Sequence, residues 1–177
     1  MKIGIDIDGV LTDISRAVID YGGKFCYDNA LEYIVHPEEY DEGKVLSLND
    51  DQIEKFWNQY LELYARQYPT RDFAKEVVQK LKEQGHSICI ITARNEEGFP
   101  PETYGTMQLI VKEWLQDNDI IYDELVFSKG SKLPYCMERK LDIMIEDSPR
   151  NIVEIAKEIP VLCFDNPYNK QIEGKNI

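Results

Sequence analysis

Five short apolar runs, separated by amphipathic stretches of helical length, constrain this chain more than any other feature. Lys2 to Ile7 places isoleucines at 3, 5 and 7 around Gly4, and comparable runs recur at Ser87 to Thr92, Glu124 to Phe127, Asp142 to Glu146 and Pro160 to Phe164. Each is too short for a helix, and several lack the polar alternation of a strand with one wet face, so they read as strands of a buried sheet. Between them, Arg71 to Gln84 sets Phe73, Val77, Val78 and Leu81 at helical spacing ahead of Gly85, a C-cap signal. Glu102 to Asp117 does the same with Met107, Ile110, Val111, Trp114 and Leu115, and Ser148-Pro149 reads as an N-cap and first-turn proline ahead of Ile152. Strand and helix in alternation predict an α/β fold, a Rossmann-like three-layer sandwich with a parallel five-stranded sheet.

Residues 15–68 break this rhythm. Helices are predicted around Ser15 to Tyr21 and Asp50 to Tyr68, joined by a segment with His36, Pro37 and acidic residues. The second carries Phe56, Trp57, Tyr60, Tyr64 and Tyr68, a spacing that makes a packing face its default meaning. The stretch directly follows the first strand, so it should stand at the strand's C-terminal end, where open parallel sheets bind ligands. The expected organisation is an α/β core of residues 1–14 and 69–177 with a small helical cap, 15–68, inserted after the first strand.

Acidic residues sit at the ends of these runs. Asp6 and Asp8 close the first, Thr92 the second, and Glu146 with Asp147 the fourth. Parallel strands would deliver all five side chains to one edge, where unpaired like charges cost several kcal/mol, of the order expected for buried polar or ionic groups. A divalent cation removes that cost, and carboxylates on neighbouring strands with a carbonyl and waters make the hard oxygen shell suited to Mg²⁺. One aspartate can then act as nucleophile and the other as proton donor and acceptor. Thr92 and an ammonium from Lys132 or Lys129 can stabilise a transferring phosphoryl group, and Gly9 lets the backbone turn beneath the anion. Gly9, Ala93, Arg94 and Lys129 are the expected substrate-binding positions; for Arg94 a local ion pair with Glu96-Glu97 is the alternative.

The whole chain has 177 residues, with 33 acidic against 20 basic side chains and a formal charge of −13. That balance argues against a broad grip on a nucleic acid polymer or an anionic membrane, but not against a small anionic substrate beside a metal ion. Cys26, Cys89, Cys136 and Cys163 lack metal-ligand spacing and read as reduced thiols. No run reaches the 18 or more apolar residues of a membrane span, and a cytoplasmic monomer or homodimer is expected. His36 and His86 stand isolated, and the turn Asp165 to Lys170 either borders the active edge or is a plain terminal loop.

These residues resemble the haloacid dehalogenase-like superfamily of phosphatases. Its first motif, Asp-x-Asp-Gly-x-x-x-Asp, is matched by Asp6-Ile7-Asp8-Gly9-Val10-Leu11-Thr12-Asp13; its second, a Ser or Thr ending the next core strand, by Thr92; its fourth, an acidic pair, by Glu146-Asp147. The resemblance implies a phosphoaspartyl intermediate on Asp6 and acid–base work by Asp8. It implies Mg²⁺ held by Asp6, the Asp8 main-chain carbonyl and Asp147, with Glu146 assisting or orienting. The second aspartate sets phosphatases apart from the dehalogenases. The third motif's lysine, which opens a helix, favours Lys132 over Lys129. A helical cap between the first two motifs is similar to that of the 5′(3′)-deoxyribonucleotidase-like branch, implying a small phosphomonoester such as a nucleoside 5′-monophosphate, with cap aromatics available to stack a base. A sugar-phosphate phosphatase, a phosphomutase and a catalytically silent metal- or phosphate-binding regulator are the rival readings.

Overall fold

A computed structural model describes residues 1–94 and 105–177. Its elements run β1 (Lys2–Ile5), α1 (Ile14–Asp28), α2 (Glu42–Val45), α3 (Asp50–Gln67), α4 (Ala74–Glu83), β2 (Ser87–Thr92), α5 (Thr106–Asp117), β3 (Glu124–Phe127), α6 (Leu133–Glu138), β4 (Ile143–Glu146), α7 (Pro149–Ile155) and β5 (Val161–Cys163). The five strands form one all-parallel sheet in the order β3-β2-β1-β4-β5. Helices cover both faces, as the alternation of runs predicts.

Side-chain alternation along the strands divides the core in two. Ile3, Ile5, Ile88 and Ile90 pack with Val78 of α4 and with Met107, Ile110, Val111, Trp114 and Leu115 of α5. Cys89, Ile91, Val126 and Met144 face the other way, onto Cys136 of α6 and Ile152 and Ile155 of α7. Gly4 lies on this second face, where a Cβ would come within 2.5 Å of Met144 Sδ and 2.6 Å of Leu141 Cδ1. Strand order reverses at β1: the chain builds outward through β2 and β3 on one side, then returns to place β4 and β5 on the other. The C-terminal ends of β1 and β4 therefore flank the switch point at which open α/β sheets take ligands.

Several boundaries differ from expectation. The first strand stops at Ile5 rather than Ile7, because Ile7 carbonyl oxygen accepts from the amides of Val10, Leu11 and Thr12 (3.3, 2.8 and 2.9 Å) and Gly9 turns at φ +84°. Helix α4 starts at Ala74, since Phe73 takes a left-handed φ of +65°. Phe73 and Val77 are 73% and 54% exposed, so Val78 and Leu81 alone carry the expected apolar face against the main core. Helix α1 runs to Asp28, past the predicted Tyr21, and Asp13 caps its start by accepting from Arg16 N at 3.1 Å. Helix α5 is described from Thr106, and the predicted loop from Glu96 to Pro101 lies outside the described residues.

The helices between Ile14 and Gln67 build an apolar cluster of their own from Val18, Phe25, Cys26, Val45, Leu46, Phe56 and Tyr60. Phe25 and Phe56 meet edge to face at 5.7 Å, and Tyr21 stacks on Tyr60 at 5.1 Å. Burying one phenylalanine contributes about 2 to 3 kcal/mol, enough for such a cluster to orient its helices. Helix α3 is also tied to the core: Ala65 belongs to the main cluster and Trp114 Nε1 donates to Tyr68 carbonyl oxygen at 2.8 Å. That second attachment fixes which side of α3 looks onto the sheet edge.

Candidate active site

The floor of the site is made where β1 and β4 end. Asp6 still pairs with the sheet through its amide, which donates to Ile145 carbonyl oxygen at 3.1 Å. Asp147 leaves β4 one residue after Glu146. Ligand oxygens of Asp6, Glu146 and Asp147 lie within 4.8 Å of one another, all three residues buried. Lys132, at the start of α6, reaches into this group: its Nζ is 2.6 Å from Asp6 Oδ2 and 2.9 Å from Glu146 Oε2, with the side chain 2% exposed. Lys129 is exposed and lies outside the cavity lining, whereas Lys132 is part of it.

Three carboxylates against one ammonium leave two negative charges in a buried place, and the protonation behaviour follows. Burial, then the charge of Glu146, pushes Asp6 well above the usual carboxylate range. Asp147 is pushed up to about 7 by the same two causes. Burial raises Glu146 too, but Lys132 and the amide of Ser148 outweigh it and hold this carboxylate below its ordinary value. Glu146 is fully enclosed: Oε1 accepts from the amides of Asp147 and Ser148 (3.1 and 3.0 Å), and Oε2 from Lys132. The set fits a divalent cation on its donors, all hard oxygens, and on one orphan: the buried Asp147 Oδ1 has no hydrogen-bond partner among the described residues. Gly9 is needed beside it, since a Cβ there would fall 1.9 Å from Asp147 Oδ2.

Asp8 is handled differently. Arg94, the second residue after β2, embraces its carboxylate with Nε at 3.1 and 3.0 Å from Oδ1 and Oδ2 and Nη2 at 2.7 Å from Oδ1. The guanidinium lies 4.9 Å from the Tyr64 ring centre and 5.5 Å from that of Trp114. Tyr64 Oη, from α3, donates to Asp8 Oδ1 at 2.5 Å and lies 2.7 Å from Thr12 Oγ1. Burial alone would raise Asp8, but the Arg94 charge and its hydrogen bonds overcome this and lower it. The Asp8 side chain thus stands apart from the acidic group around Asp147. Arg94 pairs with Asp8, 86 residues away; the predicted partners Glu96 and Glu97 lie outside the described residues.

Thr92 is fully buried at the end of β2, and its Oγ1 accepts from Arg94 N at 3.1 Å. That contact shapes the turn carrying Arg94. Ala93 and Arg94 both line the cavity, a space of about 250 Å³ whose floor is Asp6, Asp8, Lys132 and Asp147. Its walls come from the region after β1, through Ile14, Ser15, Val18, Glu39, Tyr40, Glu42 and Val45, and from Ser148, Asn151 and Tyr168. The aromatics singled out on α3 are not in this lining: Phe56, Tyr60 and Tyr64 are buried in packing. Tyr40, half exposed, contributes the aromatic wall, and burial pushes its hydroxyl up to about 12.

Sequence reasoning passed over Tyr40, Glu39 and Glu42. Of the two readings of the turn Asp165 to Lys170, the structure has the one that borders this edge: the turn follows the C-terminal end of β5, and Tyr168 lines the cavity. Neither histidine approaches the site: His86 neighbours the N-terminus at 3.4 Å and His36 lies 3.6 Å from Glu38. The four cysteines are free, and no helix among the described residues is long and apolar enough to cross a membrane.

Comparison with known proteins agrees with this geometry. The family described as "5' nucleotidase, deoxy (Pyrimidine), cytosolic type C protein" matches residues 1–176. A protein named "Putative nucleotidase YqfW" from Bacillus subtilis (strain 168) is 28% identical over 180 residues, covering 100% of this chain and 86% of its own. "Putative nucleotidase OB0422" from Oceanobacillus iheyensis is 29% identical over 177 residues, covering 96% and 89%. Among solved structures, a haloacid dehalogenase-like family hydrolase, SP0104 from Streptococcus pneumoniae, superposes with a TM-score of 0.63 at 15% identity, over 92% of this chain and 83% of that one. That likeness carries the fold.

Proposed function

Since the chain belongs to the 5′ nucleotidase, deoxy (pyrimidine), cytosolic type C family of haloacid dehalogenase-like phosphatases, we propose that it hydrolyses a nucleoside monophosphate in a Mg²⁺-dependent reaction through Asp6. The observation that carries this reading is the buried group of Asp6, Lys132, Glu146 and Asp147 at the β1–β4 switch point, with Asp147 Oδ1 left without a partner among the described residues. Asp6, Asp147 and the Asp8 main-chain carbonyl would hold Mg²⁺, with Glu146 orienting Lys132 and the Asp147 loop. The bound cation supplies charge that offsets the carboxylates and the phosphate oxygens.

In the first step an Asp6 carboxylate oxygen attacks phosphorus, the ester P–O bond breaks, and the departing alkoxide takes a proton from Asp8. In the second, Asp8 accepts a proton from water as that water attacks the phosphoaspartate, releasing phosphate and restoring Asp6. Arg94 and Tyr64 favour the ionised form of Asp8, which suits the second step; the arginine fork has to loosen when the leaving group needs its proton. Lys132 stays paired with Asp6 and supports the negative charge that gathers there.

Residues 15–68 act as a cap in this reading, supplying the wall opposite the phosphate. The size of the cavity suits a small monoester, and the half-exposed Tyr40 offers a face for a base. The test is phosphate release from a panel of nucleoside monophosphates and sugar phosphates with Mg²⁺, with EDTA and with Asp6→Asn. Preference for nucleotides, lost in both controls, is expected. Equal rates on small sugar phosphates would remove the nucleotide assignment and leave the chemistry; absence of any turnover would favour a silent metal- or phosphate-binding regulator.

A further inference from the structure

The segment after β5 returns to the floor of the site. Asn166 and Asn169 are 4% and 3% exposed although they belong to a polar turn near the end of the chain. Asn166 Nδ2 donates to Gly9 carbonyl oxygen at 3.2 Å, and Asn169 Nδ2 to Asp147 carbonyl oxygen at 2.9 Å. The two asparagines are joined to each other, Asn166 N donating to Asn169 Oδ1 at 3.0 Å. Arg71 reinforces the first tie, with Nη2 at 3.3 Å from Gly9 carbonyl oxygen and 3.0 Å from Asn166 Oδ1. One short turn therefore holds the backbones of both acidic loops.

Between the two asparagines stands Tyr168. Its hydroxyl donates to Asp147 Oδ2, and its ring meets Tyr40 edge to face at 5.2 Å. Asp147 then has one oxygen taken by the tyrosine and the other, Oδ1, buried with no partner among the described residues. A carboxylate free to rotate presents either oxygen and must be ordered when a cation binds. One already fixed at Oδ2 presents Oδ1 in a single direction.

On the metal-dependent reading above, we propose that Tyr168 is a positioning residue for the cation: it occupies Asp147 Oδ2, so that Oδ1 is the oxygen presented beside Asp6. Asn169 completes the device by fixing the backbone from which Asp147 projects. Outer contacts of this kind are worth about 10- to 100-fold in metal affinity.

The experiment is calorimetric titration of Mg²⁺ into the full chain without substrate, comparing wild type with Tyr168→Phe. This variant keeps the ring against Tyr40 and removes only the hydroxyl. Mg²⁺ binding at least about 10-fold weaker is expected, together with an activity deficit that shrinks as Mg²⁺ is raised, which a general packing defect would not show. If Tyr168→Phe does not fold, Asn169→Ala, which breaks the tie to the Asp147 backbone, carries the same expectation and the same metal rescue. Equal or tighter Mg²⁺ binding by the variant overturns the role of Tyr168 and leaves the metal-dependent phosphatase standing. A wild-type protein that neither binds Mg²⁺ nor loses turnover in EDTA overturns both.

Discussion

The two aspartates of one short motif stand two residues apart and live in opposite surroundings. Asp6 shares a buried floor with Glu146 and Asp147, so its proton is held tightly even though Lys132 touches it. Asp8 faces an arginine fork and a tyrosine hydroxyl, and it is held ionised. The Asp6 side is short of positive charge, which suits it to the cation of the proposed reaction. The Asp8 side is already neutralised by Arg94, so its carboxylate stays ionised and, in the proposed reaction, gives up readily any proton it takes from water. Position in the motif does not separate these surroundings; the side chains packed against each carboxylate do.

The widest separation should come from chemistry. Asp6→Asn is expected to remove turnover by about 10⁴-fold or more on every substrate, because in the proposed reaction Asp6 is the oxygen that accepts the phosphoryl group. Asp8→Asn should cost about 10²- to 10⁴-fold on alkyl phosphates but much less on an aryl phosphate whose leaving group needs no proton. Steady-state rates on the two ester types check both, and an equal loss for Asp8→Asn on each would break the division of labour.

Stability tests the two cations next. Lys132→Met leaves three buried carboxylates without their counter-charge, and the metal-free protein should lose about 3 to 5 kcal/mol in urea unfolding. Arg94→Met should cost less, about 1 to 3 kcal/mol, because Asp8 is more open to solvent and keeps Tyr64. A larger loss from Arg94→Met would reverse the comparison.

The pH dependence sharpens it further. An Asp147 group titrating near 7 in the folded metal-free protein, against 3.8 when unfolded, keeps its proton in the folded state after the unfolded chain has lost it. Its cost to stability therefore grows as pH rises from about 4 and is complete above about 7. In EDTA, Asp147→Asn should gain on wild type between pH 5 and 8, by about 2 to 4 kcal/mol. With saturating Mg²⁺ the order should invert, since only the wild type gains from the cation. Thermal melts at several pH values, with EDTA or Mg²⁺, measure this. The smallest effect belongs to Tyr64→Phe, expected to cost about 1 kcal/mol in stability for one hydrogen bond to Asp8; no change in urea unfolding would show that Arg94 alone holds Asp8.

Much of this was legible in the linear chain. Isoleucines at 3, 5, 88 and 90 and the acidic residues just beyond the runs mark both the strands and the edge toward which they point, because parallel strands end on the same side. Lys132 was separable from Lys129 only by reach, and reach is a property of the folded α6. Tyr64 was visible as one of a row of aromatics, but its hydroxyl finds Asp8 because α3 is held in rotation by Trp114 and by the cluster around Phe56. Helical periodicity gives the apolar side of a helix and is silent on what a hydroxyl at its margin meets. The α4 face was over-read for the same reason: Phe73 and Val77 match the period but stay largely exposed.

Residue order by itself determined the parallel sheet, the positions of Asp6, Asp8, Glu146 and Asp147 at its active edge, and the hard-oxygen character of the site. These follow from local periodicity and from the chemistry of carboxylates. Tertiary structure alone decided that Arg94 faces Asp8 and that Asn166, Tyr168 and Asn169 grip the two acidic loops. Those partners are separated by up to 157 residues, and only the closure of the sheet and the seating of its helices bring their atoms within hydrogen-bonding distance.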